Sequence, residues 1–186
     1  MITLAEIAMG VAGAFRLARR DPGGAAYFDD SPHGFWRSFW AAAVVAPAFL
    51  ILDLLSGGFG ETAGARQIAI QLIGYVIDWT AFPVLMITVA DSLGKWPNYM
   101  RYIVAYNWSA VVQMAVLLPV AVLALLAPSH ATMLLAQFVT VVLLVYRAYV
   151  AHVMLQVGVG TAAGVVLLDV LLAGLLKAVS DRLMAL

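Results

Sequence analysis

The chain has 186 residues, of which 65% are hydrophobic and only 11% charged, and its mean hydropathy is +0.99. A soluble domain carries about a quarter charged residues, so this composition indicates an integral membrane protein. The formal net charge of zero gives no basic surface for nucleic acid, and the lack of cysteine excludes disulfides, thiolate metal sites and cysteine nucleophiles.

The N-terminal segment, residues 1–34, is predicted to hold a surface helix and a linker. Thr3 and Glu6 fit a capping box at a helix start, and the helix is expected over residues 3–20. Its apolar run is too short to span a bilayer, which needs about 20 residues. The favoured interpretation is an interfacial amphipathic helix lying on the membrane. The alternative is a short helix packed on the protein itself.

Five long apolar segments in residues 35–186 predict five transmembrane helices. They cover about residues 35–55, 67–89, 102–126, 131–156 and 161–179. Ser31 and Pro32 suit an N-cap and a first helical residue, and "SGGFGETAGA" is expected to end the first span. Short links predict antiparallel neighbours. The expected fold is an all-α integral membrane protein with five spans behind an interfacial helix.

The distribution of lysine and arginine predicts the orientation. Three basic residues lie on the C-terminal side, and six membrane-surface basic residues lie on the N-terminal side: Arg16, Arg19, Arg20, Arg37, Lys95 and Arg101. The imbalance favours a cytoplasmic N-terminus and an outside C-terminus. The cysteine-free, Ala/Val-rich sequence with short loops suits a bacterial inner membrane.

Three charged residues, Asp78, Arg147 and Asp169, fall inside the predicted spans. Each would cost roughly 2.5 to 3.5 kcal/mol near the bilayer centre without a partner. Arg147 and Asp169 are each 11 residues from Gly158, where the last two spans turn. Equal counts from a turn mean equal depth, so the two should meet roughly 16 Å from it. Asp78 has a comparable depth, so Arg147 is predicted to bridge both carboxylates in a polar cluster that includes Gln113.

This cluster has two competing interpretations. One is a structural clamp that fixes which helices are neighbours, and the other is a proton or ion relay, since intramembrane ionisable residues often mark pathways. The charged side chains could also simply face apart. A second, shallower pair is predicted from Asn107 and His152, which should lie at similar depth.

Motifs for catalysis do not occur in the sequence. The chain has no phosphate-binding glycine loop, no HExxH and no G-x-S-x-G. The three histidines are far apart and form no metal-ligand pattern. The sequence therefore predicts a non-enzymatic protein with no cofactor and no metal site.

The segment "VADSLGKWPNYMRYIVAYNWSAVVQ" resembles the middle of the Yip family, membrane proteins first described as interacting with Ypt/Rab GTPases. The likeness includes a glycine after the second span, a short polar link and the aromatic-rich start of the third span, residues 104–109. The final hairpin, "VYRAYVAHVML" through "GVGTAAGVVLL", looks like the family's closing pair. Residues 160–162 depart from its usual approach to the last span. The resemblance implies five spans, a cytoplasmic N-terminus and binding to partners rather than catalysis.

Three functions remain open from the sequence. The first is membrane organisation or partner binding, with "GFWRSFW" and "KWPNYMRY" as a cytoplasmic contact face. The second is a small ion- or proton-coupled transporter or channel that uses the charged cluster. The third is an accessory subunit of a larger complex. The expected partners are the lipid bilayer and a membrane protein or a second copy of the chain.

Overall fold

The computed structural model describes residues 2–56 and 64–185, and no strand occurs among them. The segment predicted to end the first span lies largely in residues 57–63, outside the described residues. Two 3-10 helices, Pro22–Tyr27 and Trp96–Asn98, interrupt a series of seven α-helices. The α-helices are α1 Leu4–Ala18, α2 Pro32–Ser38, α3 Trp40–Leu55, α4 Ala65–Ser92, α5 Tyr99–Leu126, α6 His130–Leu155 and α7 Val159–Met184.

The prediction of five spans is confirmed, because five helical segments are long and apolar enough to cross a membrane. The described bounds extend the predicted ones by a few residues at several ends. The first span consists of two helices, α2 and α3, which meet at Phe39. Ser31 caps α2 through its hydroxyl, which accepts a hydrogen bond from Gly34 N at 3.1 Å.

The helices alternate in direction, which gives the bundle two different ends. We call the end that carries α1 the α1 end, and the end at which α3 stops and α4 starts the open end. Gln156 closes α6 at the α1 end in the left-handed conformation (φ 54°), and Gly158 then starts α7. Asn98 donates a hydrogen bond to Leu155 O at 3.0 Å and satisfies a carbonyl at the end of α6.

Helix α1 packs on the protein, as the alternative interpretation of this segment predicted, and its position at the membrane surface stays a prediction. The capping box predicted at Thr3 is present. Ala14 and Leu17 are fully buried. The hydroxyls of Tyr146 and Tyr149 on α6 donate to the carbonyls of Ala14 and Arg20 at 2.8 and 2.9 Å. The helix docks because its small and apolar residues match a surface of α5 and α6, a match that the sequence pattern alone does not reveal.

Glycine allows this close docking. A Cβ atom at Gly10 would lie 2.4 Å from Cδ2 of Trp108 on α5, well inside van der Waals contact. The predicted linker is also ordered, since the 3-10 helix Pro22–Tyr27 lies against α1 at Gly13 and Gly24. Apolar residues on the outer face of α1, such as Leu4 (85% exposed), remain uncovered. Contact of that face with a bilayer stays a prediction.

Burial is uneven along the bundle. Among the described residues, full burial occurs only from the level of Gln113 and Asp169 toward the α1 end. Phe82, Ile103 and Met154 belong to this core. Beyond that level the helices expose much of their surface, both to the outside and to a space between them. The bundle is therefore closed at the α1 end and splayed at the other.

Acid is expected to loosen the start of α1. The Thr3 backbone N–H (2.7 Å) and hydroxyl (2.8 Å) donate to Glu6, and Arg37 pairs with the same carboxylate. These contacts hold the pKa of Glu6 below its ordinary value of 4.5. The stabilisation is therefore present above pH 4.5 and lost as the pH falls through the lowered pKa. Glu6→Gln should lower Tm at pH 7, and this Tm difference should shrink as the pH is lowered below 4.5; a Tm difference that stays constant down to the pH at which the carboxylate is protonated would contradict this.

Candidate functional site

A cavity of about 890 Å³ lies between the five spanning segments. Residues of α3, α4, α5, α6 and α7 all line it. Its lining extends from Phe82 and Tyr106, next to the buried core, to Met184 in the last turn of α7. The cavity therefore begins near mid-bundle and reaches the open end. Its volume falls in the range of small-molecule sites, roughly 300–1,000 Å³.

Arg147 lies at the inner limit of the cavity and holds a hydrogen-bonded network. Its Nη1 atom pairs with Asp169 Oδ2 at 2.8 Å, and its Nε donates to Gln113 Oε1 at 2.6 Å. The Tyr106 hydroxyl donates to the other Asp169 oxygen at 3.0 Å, and Gln113 donates to Ser109 at 3.1 Å. Hairpin counting correctly placed Arg147 and Asp169 together, and Gln113 joins them.

The predicted bridge from Arg147 to Asp78 is wrong. Asp78 lines the same cavity but has no hydrogen bond or ion pair within the described part of the chain. Asp78 and Arg147 are separated across the width of the bundle, because α4 packs mainly on α7 and the cavity lies between α4 and α6. Asp78 and Arg147 both line this space, and their equal depth stays a prediction. The distance across the bundle could not be obtained from residue counts.

The predicted pair of Asn107 and His152 is also wrong. Asn107 is fully buried and donates to Ser38 Oγ at 2.8 Å, close to the break between α2 and α3. His152 is exposed, and its Nδ1 lies 2.6 Å from Val157 O in the turn after α6. A carbonyl only accepts, so Nδ1 carries the proton. Asn107 faces the interior of the bundle and His152 faces outward, because helix rotation is not encoded in a uniformly apolar sequence.

The six predicted surface cations all lie at the α1 end, but several have partners within the protein. Arg16 Nε lies 2.6 Å from Asp21, and its guanidinium holds the pKa of that carboxyl below the ordinary range. Arg37 pairs with Glu6, and Arg19 lies over the Phe15 ring at 5.9 Å. Lys95 precedes the second 3-10 helix, and Arg20 and Arg101 lie near the ends of α1 and α5. Their place at the membrane surface stays a prediction.

Sequence reasoning missed one face of α4. Tyr75, Asp78, Trp79 and Phe82 recur at i, i+3, i+4 and i+7, the spacing of a single helix face, and all four line the cavity. Aromatic residues of neighbouring helices extend this wall: Phe49 lies 4.9 Å from Tyr75, and Tyr106 lies 4.7 Å from Phe82, between ring centroids. The aromatic–acidic spacing in "YVIDWTAF" was the available signal.

Asp53 is a second cavity residue that the sequence did not single out. Its Oδ2 atom is inaccessible to solvent and has no hydrogen-bond partner among the described residues. It lies in the last turn of α3, near the open end. Within residues 2–56 and 64–185, no three of the histidines and carboxylates are grouped so as to hold a metal ion. The arrangement is thus suited to binding a molecule by an apolar wall and a few charges.

Comparison with known proteins yields no relative. No family model matches the chain, no curated protein matches it, and no solved structure matches it. The likeness to the Yip family remains a prediction that rests on the sequence motifs alone.

Proposed function

We propose that this protein binds a small solute in the intramembrane cavity and moves it across the bilayer, without enzymatic chemistry. The observation that carries the proposal is the cavity itself. It is lined by all five spanning segments and contains Asp78, Arg147 and Asp169. A packed structural clamp would need only the Arg147–Asp169 contact, whereas a solute site needs space and convergent polar groups.

The asymmetry of burial supports the same proposal. The core at the α1 end blocks the cavity on that side, and the splayed helices leave it open on the other. Transport by alternating access requires a site near mid-membrane that is open to one side at a time. We infer that the described arrangement is the state open toward the C-terminal side, and that this side is outside the cell.

The lack of native cysteine makes a labelling test direct. Gly74 lines the cavity with room for a side chain, since an added Cβ would meet only Ser180 Oγ at 3.9 Å. Gly174 lies at a similar distance from the open end, but does not line the cavity and has open space around it. Gly74→Cys should react with a membrane-impermeant maleimide at least about tenfold faster than Gly174→Cys, because only hydrated thiols ionise readily.

The side of labelling then separates transport from binding alone. In oriented proteoliposomes, Gly74→Cys should react with reagent added at either face if the cavity alternates between them. Reaction from the C-terminal face alone would indicate a binding protein rather than a transporter. Equal and slow labelling of Gly74→Cys and Gly174→Cys would show that water does not fill the cavity, and the proposal would fail.

Partner binding, as in Yip-like proteins, is the second candidate. The observation in its favour is an exposed aromatic surface at the α1 end, formed by Trp36 (71% exposed), Trp40 and Trp96. These residues lie in the two segments predicted as a contact face. Their ordinary role would be anchoring at the membrane interface, where tryptophan is enriched. Purification in mild detergent with a stoichiometric protein, lost on Trp36→Ala, would favour this candidate or an accessory subunit.

A further inference from the structure

We propose that the solute is a monovalent organic cation with an apolar body, held with its positive charge beside Asp78. This inference rests on the proposed function, because it names the class of molecule that the same cavity would take. It follows from the charges left over in the cavity, from the aromatic wall and from the shape of the space.

The charges of the cavity do not balance. In the part of the chain that the structure describes, its lining includes the four carboxylates of Asp53, Asp78, Asp169 and Asp181 and two cations, Arg147 and Lys177. Arg147 pairs with Asp169 at 2.8 Å, and Lys177 pairs with Asp181 at 3.1 Å. Among the described residues, Asp53 and Asp78 are therefore left without a counter-charge. An unpaired carboxylate inside a membrane is costly, and a cationic solute would remove that cost.

The walls around Asp78 suit a cation with an apolar body. Tyr75, Trp79 and Phe82 share its helix face, and Tyr106 of α5 adjoins Phe82. Aromatic faces attract organic cations through the ring quadrupole and also bury hydrocarbon groups. Aromatic side chains around a carboxylate thus favour an ammonium or phosphonium centre over a neutral molecule.

Other solutes fit less well. A small inorganic cation would need several oxygen ligands at short distance, and the part of the chain that the structure describes contains no such group of carboxylates and histidines. A space of about 890 Å³ is also far larger than one ion requires. An anion would approach two carboxylates that have no cation partner among residues 2–56 and 64–185, while the guanidinium of Arg147 in the described lining is held by Asp169 and Gln113.

The test compares two ions of nearly the same shape and opposite charge. Tetraphenylphosphonium and tetraphenylborate would be equilibrated with the full-length protein in nanodiscs, with empty nanodiscs subtracted for lipid partition. We expect saturable binding of the phosphonium and none of the borate. Asp78→Asn should weaken phosphonium binding by about tenfold or more, since it removes a charge contact in a site of reduced dielectric. Asp91→Asn, which changes an exposed carboxylate outside the cavity, should leave it unchanged.

The outcomes separate this inference from the proposed function. Equal binding of both ions, or unchanged phosphonium affinity in Asp78→Asn, would overturn the cationic solute but not the cavity's role. If neither ion binds while Gly74→Cys still labels rapidly, the cationic solute is likewise overturned and the cavity's role is not. Failure of both ions together with slow labelling of Gly74→Cys would remove the proposed function as well.

Discussion

Replacing Arg147 with methionine is expected to lower the free energy of unfolding by about 3 kcal/mol. The substitution keeps a long unbranched side chain but leaves the Asp169 carboxylate, which is 5% exposed, without its cation. Removing one partner of a buried pair typically costs about 3–5 kcal/mol, and the partial exposure of Arg147 toward the cavity places the effect near the lower limit. Unfolding in detergent, followed by circular dichroism, would measure it.

A variant that lacks both charges of the pair provides the decisive comparison with Arg147→Met. Arg147→Met combined with Asp169→Leu removes both charges, so it should recover most of the loss. Lys177→Met provides a matched control on α7, because Lys177 is 77% exposed and its pair with Asp181 should contribute less than about 1 kcal/mol. If the double variant were as unstable as Arg147→Met alone, the network would owe its stability to Tyr106 and Gln113 rather than to the ion pair.

Gly10→Val is expected to release α1 from the bundle. The new side chain would start 2.4 Å from the indole of Trp108, which is itself buried at 5% exposure. Overpacking of this kind costs about 1–3 kcal/mol or more, so the fraction of molecules with α1 undocked should rise at least about tenfold. Labelling of a cysteine at Ala14, a fully buried position on α1, would report it.

The control for this experiment is Gly164→Val in the same Ala14→Cys background. Gly164 has open space where a Cβ would be added, so this variant changes a helical glycine without a clash. It should not alter the labelling rate. Unchanged labelling in Gly10→Val would mean that the fit of α1 against Trp108 contributes little, and that its other contacts, such as the hydroxyls of Tyr146 and Tyr149, hold it in place.

Docking of α1 also bears on the proposed transport. The helix covers the α1 end of the bundle, where the core closes the cavity. If the cavity opens to that side during transport, α1 is one of the elements that would have to shift. Labelling of Gly74→Cys from the two faces, compared with and without Gly10→Val, would detect such coupling.

The sequence predicted features that depend on hydropathy averaged along a segment, on local hydrogen bonding and on residue counts from a turn. Five spans follow from hydropathy summed over about 20 residues, which is insensitive to any single side chain. The Thr3 capping box and the Ser31 cap follow from local hydrogen bonding. The contact between Arg147 and Asp169 follows from equal distances to one turn, because a tight hairpin leaves no freedom in depth.

The tertiary structure alone decided how each helix is rotated and which helices are neighbours. Asp78 faces a cavity instead of Arg147, and Asn107 meets Ser38 instead of His152. In a soluble helix a polar face marks the outside, but these spans are apolar all round and lipid tails are as apolar as a protein core. Hydrophobicity therefore cannot select one rotation. Packing of small residues and a few hydrogen bonds selects it instead, and those contacts exist only once the helices have come together.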